Sequence, residues 1–318
     1  MPDRTPPVPS MMEPLTTEVT IAPADVSLGP TAPHALTTRQ IAWRRFKRHR
    51  LAMVSLVILG ILGLSVLLAP ILAHGHTYYS IHFNQALQSP GKSHWFGTDN
   101  LGRDEFARVI YGGRISLLIG LSVALSSGII GTLLGALAGF YGGWVDQILM
   151  RLTDLFLAIP LLVVLILAEA ILGGSIFDIV AILTLVFWMP VARIVRGMVL
   201  SLKEKEFVEA ARASGASNFR IIFSHLLPNA IGPITVVVTL GVAQAIITES
   251  ALSFLGFGVK PPTPTWGNLL NDAQPFALLH PPMVWFPGLF ILITVLAVNF
   301  VGDGLRDALD PRQQLKAL

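Results

Sequence analysis

The chain has 318 residues, 53% hydrophobic and 13% charged, with a mean hydropathy of +0.67, whereas a soluble domain carries about a quarter charged residues. This is a membrane composition and excludes an ordinary soluble globular domain. The absence of cysteine rules out a disulfide framework, cysteine-ligated zinc and a thiol nucleophile together. A formal charge of +3, with the basic residues gathered at span ends, provides no nucleic-acid-binding face.

Residues 1–40 read as a disordered cytoplasmic tail, with eight prolines among the first 38 residues and almost no apolar periodicity. The first long apolar run begins at Leu51, too late for a secretory signal peptide. From Leu51 to Ala73 no charge occurs over 23 residues, which as a helix reach about 34 Å against a hydrocarbon core of about 30 Å. Arg44, Arg45, Lys47, Arg48 and Arg50 stand just before this first span and place the N-terminus in the cytoplasm. Residues 41–113 thus comprise a basic segment, the first span and an extracytoplasmic segment.

A five-helix core is expected over 114–312, followed by a tail over 313–318. Its spans fall within Ile115–Val145, Leu155–Gly174, Ser175–Val195, Ile231–Leu255 and Met283–Gly302. Six spans return the C-terminus to the cytoplasm, so the fold expected is an all-α, multi-pass protein of the cell membrane, surrounded by lipid. Arg151, Arg193, Arg196, Lys203, Lys205, Arg212, Arg220, Arg306 and Arg312 fall on the cytoplasmic side, and the last outer loop, Gly256–Pro282, holds only Lys260. The outer segment His74–Arg114 departs from the rule, because Lys92, Arg103, Arg108 and Arg114 lie in it.

Within the second span Ser127, Gly131, Gly135 and Gly139 form a small-residue stripe that lets another backbone approach, whether of this chain or of a second subunit. Pro160, Pro190 and Pro233 fall in or at the ends of spans, where broken backbone pairing is tolerated beside protein or a water-lined cavity.

No catalytic centre emerges. Gly91-Lys92-Ser93 resembles the end of a phosphate loop but lacks the earlier glycine, which is Ala86, and a preceding strand. Neither G-x-S-x-G nor H-E-x-x-H occurs. His74 and His76 lack further ligands, so no metal is expected. Glu169 and Glu249 are acidic residues at membrane depth, where a charge costs on the order of 3 kcal/mol. Glu169 lies near the outer end, within reach of the headgroups. Glu249 is deeper, beside Ser250 and Ser253, and makes Glu249 and Ser253 candidate pathway residues. An ion- or proton-coupled secondary carrier using these carboxylates is the alternative from another class; the internal repeat common in such carriers is not found.

Between the fourth and fifth spans, over 199–230, lies a charged stretch. Lys203–Ala213 holds good helix formers, Gly215 is placed to end that helix in a left-handed cap, and Ser217 is positioned as the next N-cap. The second helix puts Phe219, Ile222, Phe223 and Leu226 on one face and is expected to stop at Pro228. Ala210 and Ala211, beside Glu209 and Arg212, make a surface that a protein partner can approach closely. Glu204, Glu206 and Glu209 disfavour a headgroup-bound helix, since anionic lipid repels them.

Glu209-Ala210-Ala211, Gly215 after three further residues, and Leu227-Pro228 resemble the EAA motif of ABC importer permeases, with His225 in a usually apolar place. Three further blocks, HWFGTDNLGRDEFARVIYGGRISL (94–117), ESALSFLGFGVKPPTPTWGNLL (249–270) and NFVGDGLRDALDPR (299–312), are similar to those of the C-type permease of dipeptide, oligopeptide and nickel importers. The resemblance spans about Ile41–Arg312. It implies a type I importer permease fold, a homologous second permease, two cytoplasmic ATPases that hold ATP and Mg, and an extracytoplasmic binding protein. It further implies an ATPase-coupling interface at Glu206, Glu209, Ala210, Ala211, Arg212, Gly215 and Pro228, no enzymatic activity and no cofactor of this chain's own. The outer loop 256–282 is then a docking surface for the binding protein or a rigid cap. Dipeptides or short oligopeptides are the expected cargo, with nickel chelates or glutathione as alternatives.

Overall fold

In the computed structural model, residues 38–73 and 77–309 are described. All but the last three residues of the expected N-terminal tail lie outside this range, as do His74, His76 and the C-terminal tail 313–318. Helix α1 (Thr38–Arg48) carries the basic cluster and turns Phe46 inward against Ala52 and Ala308. It stops at His49, whose Nδ1 accepts from Ala52 N at 3.1 Å and caps α2 (Arg50–Leu67). After Leu68 the short α3 (Ala69–Leu72) prolongs this span. Leu51, Val54, Val57, Ile61 and Leu64 all point outward from α2, as expected of a helix bathed in lipid. Its other side meets α12 (Pro282–Leu309) at Ala52 and Gly304, where no space remains for a Cβ on the glycine.

Asp104 caps α4 (Glu105–Tyr141), accepting from Ala107 N at 2.8 Å. The 37 residues of α4 reach about 55 Å, so this helix extends well beyond a bilayer core of about 30 Å. Its small-residue stripe packs on α7 (Ile176–Leu202) of the same chain. A Cβ on Gly131 would stand 2.6 Å from the Trp188 carbonyl oxygen, one on Gly139 2.8 Å from that of Arg196, and one on Gly135 would collide with that of Ala192. Spacing alone left the partner open; it is intrachain. Toward the other end, Gly120 and Gly128 admit Ile246 and Val238. A capping box starts α7, with Asp178 N donating to Ser175 Oγ at 3.1 Å and Ser175 N to Asp178 Oδ2 at 3.0 Å.

The third expected span is not one straight helix. It consists of α5 (Gly143–Leu157) and α6 (Leu161–Leu172), bent by 89°. Pro160 is the cause: it supplies no N–H, and it disfavours the helical conformation of Ile159 before it. The described residues therefore hold five helices long and apolar enough to cross a membrane, or six spans if the bent pair is counted as one.

Next come α8 (Glu206–Ala213), α9 (Asn218–Arg220), a π-helical stretch (Ile221–Leu226) and α10 (Leu227–Phe254). Here the expectation that the second loop helix stops at Pro228 is corrected: the helical path runs unbroken from Asn218 to Phe254. In the wide turn Leu227 N bonds to Ile222 O, five residues back, so the register has already shifted when the proline, which has no N–H, arrives. Asn229 Nδ2 then donates to the His225 carbonyl at 2.6 Å.

Residues 77–104 and α11 (Trp266–Ala273) form a cap over one end of the bundle. Asp99 is fully buried and accepts from Arg103 Nε and Arg108 Nη1, each at 2.6 Å; Asp272 takes Arg108 Nη2 at 2.8 Å and Arg103 Nη2 at 3.4 Å. These pairs account for two of the four basic residues that depart from the charge rule, which are spent inside the cap; Lys92 and Arg114 remain exposed. Trp266 pins the cap to α4, donating through Nε1 to Val109 O at 2.9 Å and through its backbone N to Ser116 Oγ at 3.1 Å. Among the described residues no β-strand forms; Thr98 and Asp104 make an isolated antiparallel bridge.

Candidate functional site

Opposite the cap, α8 projects from the ends of α4, α7 and α10. Val208 is its buried anchor, in one apolar cluster with Phe140, Val195, Val199, Ile221, Ile222 and Leu226. Ala211 is half-buried against that cluster, while Glu206, Glu209, Ala210, Arg212 and Gly215 are exposed, as is Pro228 beyond the π stretch. The Arg212 guanidinium also lies 5.8 Å from the centre of the Phe140 ring, within cation–π range of the last turn of α4. The turn after α8 has the expected chemistry. Gly215 has φ +77°, its N–H bonds to Arg212 O at 2.9 Å, and Ala216 N bonds to Ala211 O at 3.0 Å, which together make a Schellman cap. Ser217 caps α9 through Arg220 N at 3.4 Å.

The second half of the loop departs from its sequence pattern. Ile221, Ile222 and Leu226 are buried, whereas Phe219 is 70% exposed and packs in a tilted pair with the exposed Phe223, centroids 4.3 Å apart. A π turn takes more residues than an α turn, so the apolar face expected from i, i+3, i+4, i+7 spacing is split. Half of it enters the core and two aromatic rings are left outside. Two ion-pair sites join the neighbouring helices: Arg196 Nη2 meets Asp146 Oδ2 at 2.5 Å, with Nε also bonded to Oδ1 of the same carboxylate, and Arg193 Nη2 meets Asp154 Oδ1 at 2.5 Å. In the sequence Arg193 and Arg196 stand out only as orientation signals; Asp146 and Asp154, eight residues apart on α5, are the clue to their pairing.

Glu249 and Ser253 come together, but in a closed site. Ser253 Oγ donates to Glu249 Oε1 at 2.7 Å, Ser116 Oγ lies 3.4 Å from Oε2, and the carboxylate is fully buried. Gly267 of α11 packs directly on Ser250 and Ser253, where a Cβ would approach within 2.6 Å of the Ser250 backbone. These residues fasten α11 to α4 and α10. Glu169 is likewise buried rather than reaching outward; its Oε1 and the Lys260 side chain both close over Gly174.

Two cavities open along the bent pair and its neighbours. One, of about 520 Å³, is walled by the Phe156–Leu161 elbow, Val186, Phe187, Pro190 and Gln244. The other, of about 360 Å³, is bordered by Ser127, Phe187, Pro190, Gln244 and Asn299 among others. Neither Glu249 nor Ser253 lines them. Gly91-Lys92-Ser93 is an exposed loop.

The model of binding-protein-dependent transport system inner membrane components matches residues 131–315, more than half of the chain and including all of α8. The chain belongs to this family. Residues 37–90 of the permease also match the N-terminal transmembrane domain of oligopeptide transport permease C. It is 43% identical over 273 residues to a dipeptide transport system permease protein of Alkalihalophilus pseudofirmus, covering 86% of this chain and 90% of that one. It is 44% identical to an oligopeptide transport system permease protein of Bacillus subtilis, covering 85% and 88%. A glutathione transport system permease protein of Pectobacterium atrosepticum is 40% identical, covering 85% and 90%. The chain is thus an ABC-type membrane permease, as the motif resemblance implied.

Proposed function

We propose that this permease imports dipeptides or short oligopeptides as one of two homologous permease subunits, driven by two ABC ATPases and fed by an extracytoplasmic binding protein. The names of its relatives support the cargo, the peptide permeases standing ahead of the glutathione permease in similarity. A single structural observation supports the coupling route: α8 presents Glu206, Glu209 and Ala210 outward while Val208, on the same helix, is buried among the ends of α4, α7 and α10. A load applied to the exposed side of α8 is therefore transmitted to the spans through packed side chains. Exposed Phe219 and Phe223 add an apolar area to that side, suited to a cleft on the ATPase. ATP and Mg belong to the partner subunits in this reading. The end bearing α8 is cytoplasmic; Phe46 of α1 meets Ala308 of α12 near Ala52, so both described chain ends share one end of the bundle.

Co-purification tests the assembly: the permease should be recovered with a second permease and two ATPase subunits. Transport tests the coupling. Glu209→Lys reverses a charge on the exposed face without touching the core, and should leave insertion and yield intact while ATP-driven peptide uptake falls at least ten-fold. Gly215→Val, which forces a β-branched residue to φ +77°, should distort the cap and act in the same direction, although the space around Gly215 is open. Wild-type uptake by both variants would reject the coupling assignment. Uptake by the isolated permease on an ion gradient, without ATPase, would replace it with the secondary-carrier alternative.

A further inference from the structure

Gln244 lies near the middle of α10, exposed although Ala243, Ala245 and Ile246 around it are buried. A carboxamide turned toward hydrocarbon at that depth is costly, so its position calls for a polar neighbour. The two cavities share Phe187, Pro190 and Gln244 in their walls, which puts Gln244 at the junction between them.

Two independent features make this junction polar. The Ala158–Pro160 elbow is exposed, non-helical backbone interrupting a span, and such backbone persists at membrane depth only against protein or a water-lined cavity. Pro190 lies inside α7 and has no N–H, which leaves the carbonyl of Val186, itself in the wall of the larger cavity, without its helical donor. The smaller cavity adds the hydroxyl of Ser127 and the carboxamide of Asn299. The remaining walls are apolar.

We propose that Gln244 is a peptide-contacting station of the translocation pathway, its carboxamide hydrogen-bonding the main-chain amides of a peptide passing between the two cavities. This rests on the peptide-permease reading above. A carboxamide both donates and accepts, so it complements a peptide group, the one feature shared by cargo of any sequence, while the apolar walls accommodate varied side chains. Being uncharged, it holds cargo weakly enough to release it, as conduction requires. Glu249, enclosed by serines, has no such access.

The absence of cysteine from the chain makes the test direct. In the assembled transporter in lipid vesicles, Gln244→Cys should react with a small water-soluble methanethiosulfonate reagent, and trialanine should slow that reaction several-fold. Leu292→Cys, exposed on α12 and outside both cavities, should react far more slowly and without protection. Gln244→Leu should weaken trialanine uptake about ten-fold, one good hydrogen bond's worth, and Gln244→Asn should restore most of it. An inert or unprotected Gln244→Cys in a transporter that still imports trialanine overturns the proposal and leaves the importer reading standing. Failure of the wild-type transporter to import trialanine on ATP overturns the peptide reading, and this proposal with it.

Discussion

Leucine in place of Gly135 should prevent α4 and α7 from packing and leave the permease degraded in cells or unassembled after extraction. Two opposing effects can be weighed. Exchanging glycine for a good helix former in a helix interior gains up to about 1 kcal/mol of propensity. Against this, the first carbon added at Gly135 collides with the Ala192 carbonyl oxygen and stands 2.9 Å from Val195 Cβ. A carbonyl belongs to the backbone ladder of α7 and cannot swing aside like the end of a side chain, so the helices must separate. Overpacking typically costs about 1–3 kcal/mol, and more where backbone must move; the clash wins. Separation also withdraws the packing at Gly131 and Gly139, which seat Val191 and Val199 in the same seam. Gly60→Leu is the matched control: that position on α2 is exposed with nothing within 4 Å of the added carbon, and the variant should express and assemble as wild type. Comparable yields of the two variants after gentle solubilisation would show that the seam tolerates widening.

The same stripe shows what a sequence can encode and what it cannot. Glycines every four residues specify how near another backbone may come, and that reading holds; they carry no address, and the partner emerged only with the fold. The loop helices follow the same division. Gly215 and Ser217 act through hydrogen bonds to residues within a few positions, so their capping roles were legible from local order. The π turn over Ile221–Leu226 is not, because apolar spacing in an α-helical frame cannot reveal that one turn is wider, and so the single face expected of Phe219, Ile222, Phe223 and Leu226 divides into two. Arg103 and Arg108 looked like violations of the positive-inside pattern because one of their partners, Asp272, lies 164 residues from Arg108. Gln244 is inconspicuous for a different reason. A neutral amide in an apolar run stands out less than a charge at membrane depth, although an amide at mid-span is itself a signal.

The packing also limits how the spans can move. The Val208 cluster ties α8 to the ends of α4, α7 and α10, and the pairs Arg196–Asp146 and Arg193–Asp154 tie α7 to α5. The elbow at Pro160 lies beyond these pairs along the same bent span, and it borders the larger cavity. On the proposed function, motion delivered through α8 carries α5 along with α7, and the elbow is where α5 can turn relative to α6. The cap at the other end is fastened by a buried ion cluster, so it responds as a unit.

That cluster carries the second large effect. Asp99→Ala removes the carboxylate that pairs with Arg103 and Arg108 and also accepts from Leu101 N at 2.9 Å and Arg103 N at 2.8 Å. The arginines keep Asp272, which is 32% exposed, and Arg108 also faces Glu105 Oε2, but only at 3.9 Å, so the Arg108 side chain, 4% exposed, loses its closest buried countercharge. Breaking a buried pair by deleting one partner costs about 3–5 kcal/mol because the other charge stays desolvated. Asp272→Ala should cost less, since the half of the network it serves is already partly solvated and Asp99 remains to hold both guanidinium groups. Asp99→Asn should fall between, keeping an oxygen for the backbone donors while losing the charge. Trypsin reads the order directly on the purified transporter. In the wild type the bonds after Arg103 and Arg108 are protected by burial, and cleavage there should be fastest in Asp99→Ala, slower in Asp99→Asn and slowest in Asp272→Ala. If Asp272→Ala opened the cap as readily as Asp99→Ala, the exposed carboxylate rather than the buried one would be the cluster's keystone, and the assignment of the desolvation penalty to Asp99 would be wrong.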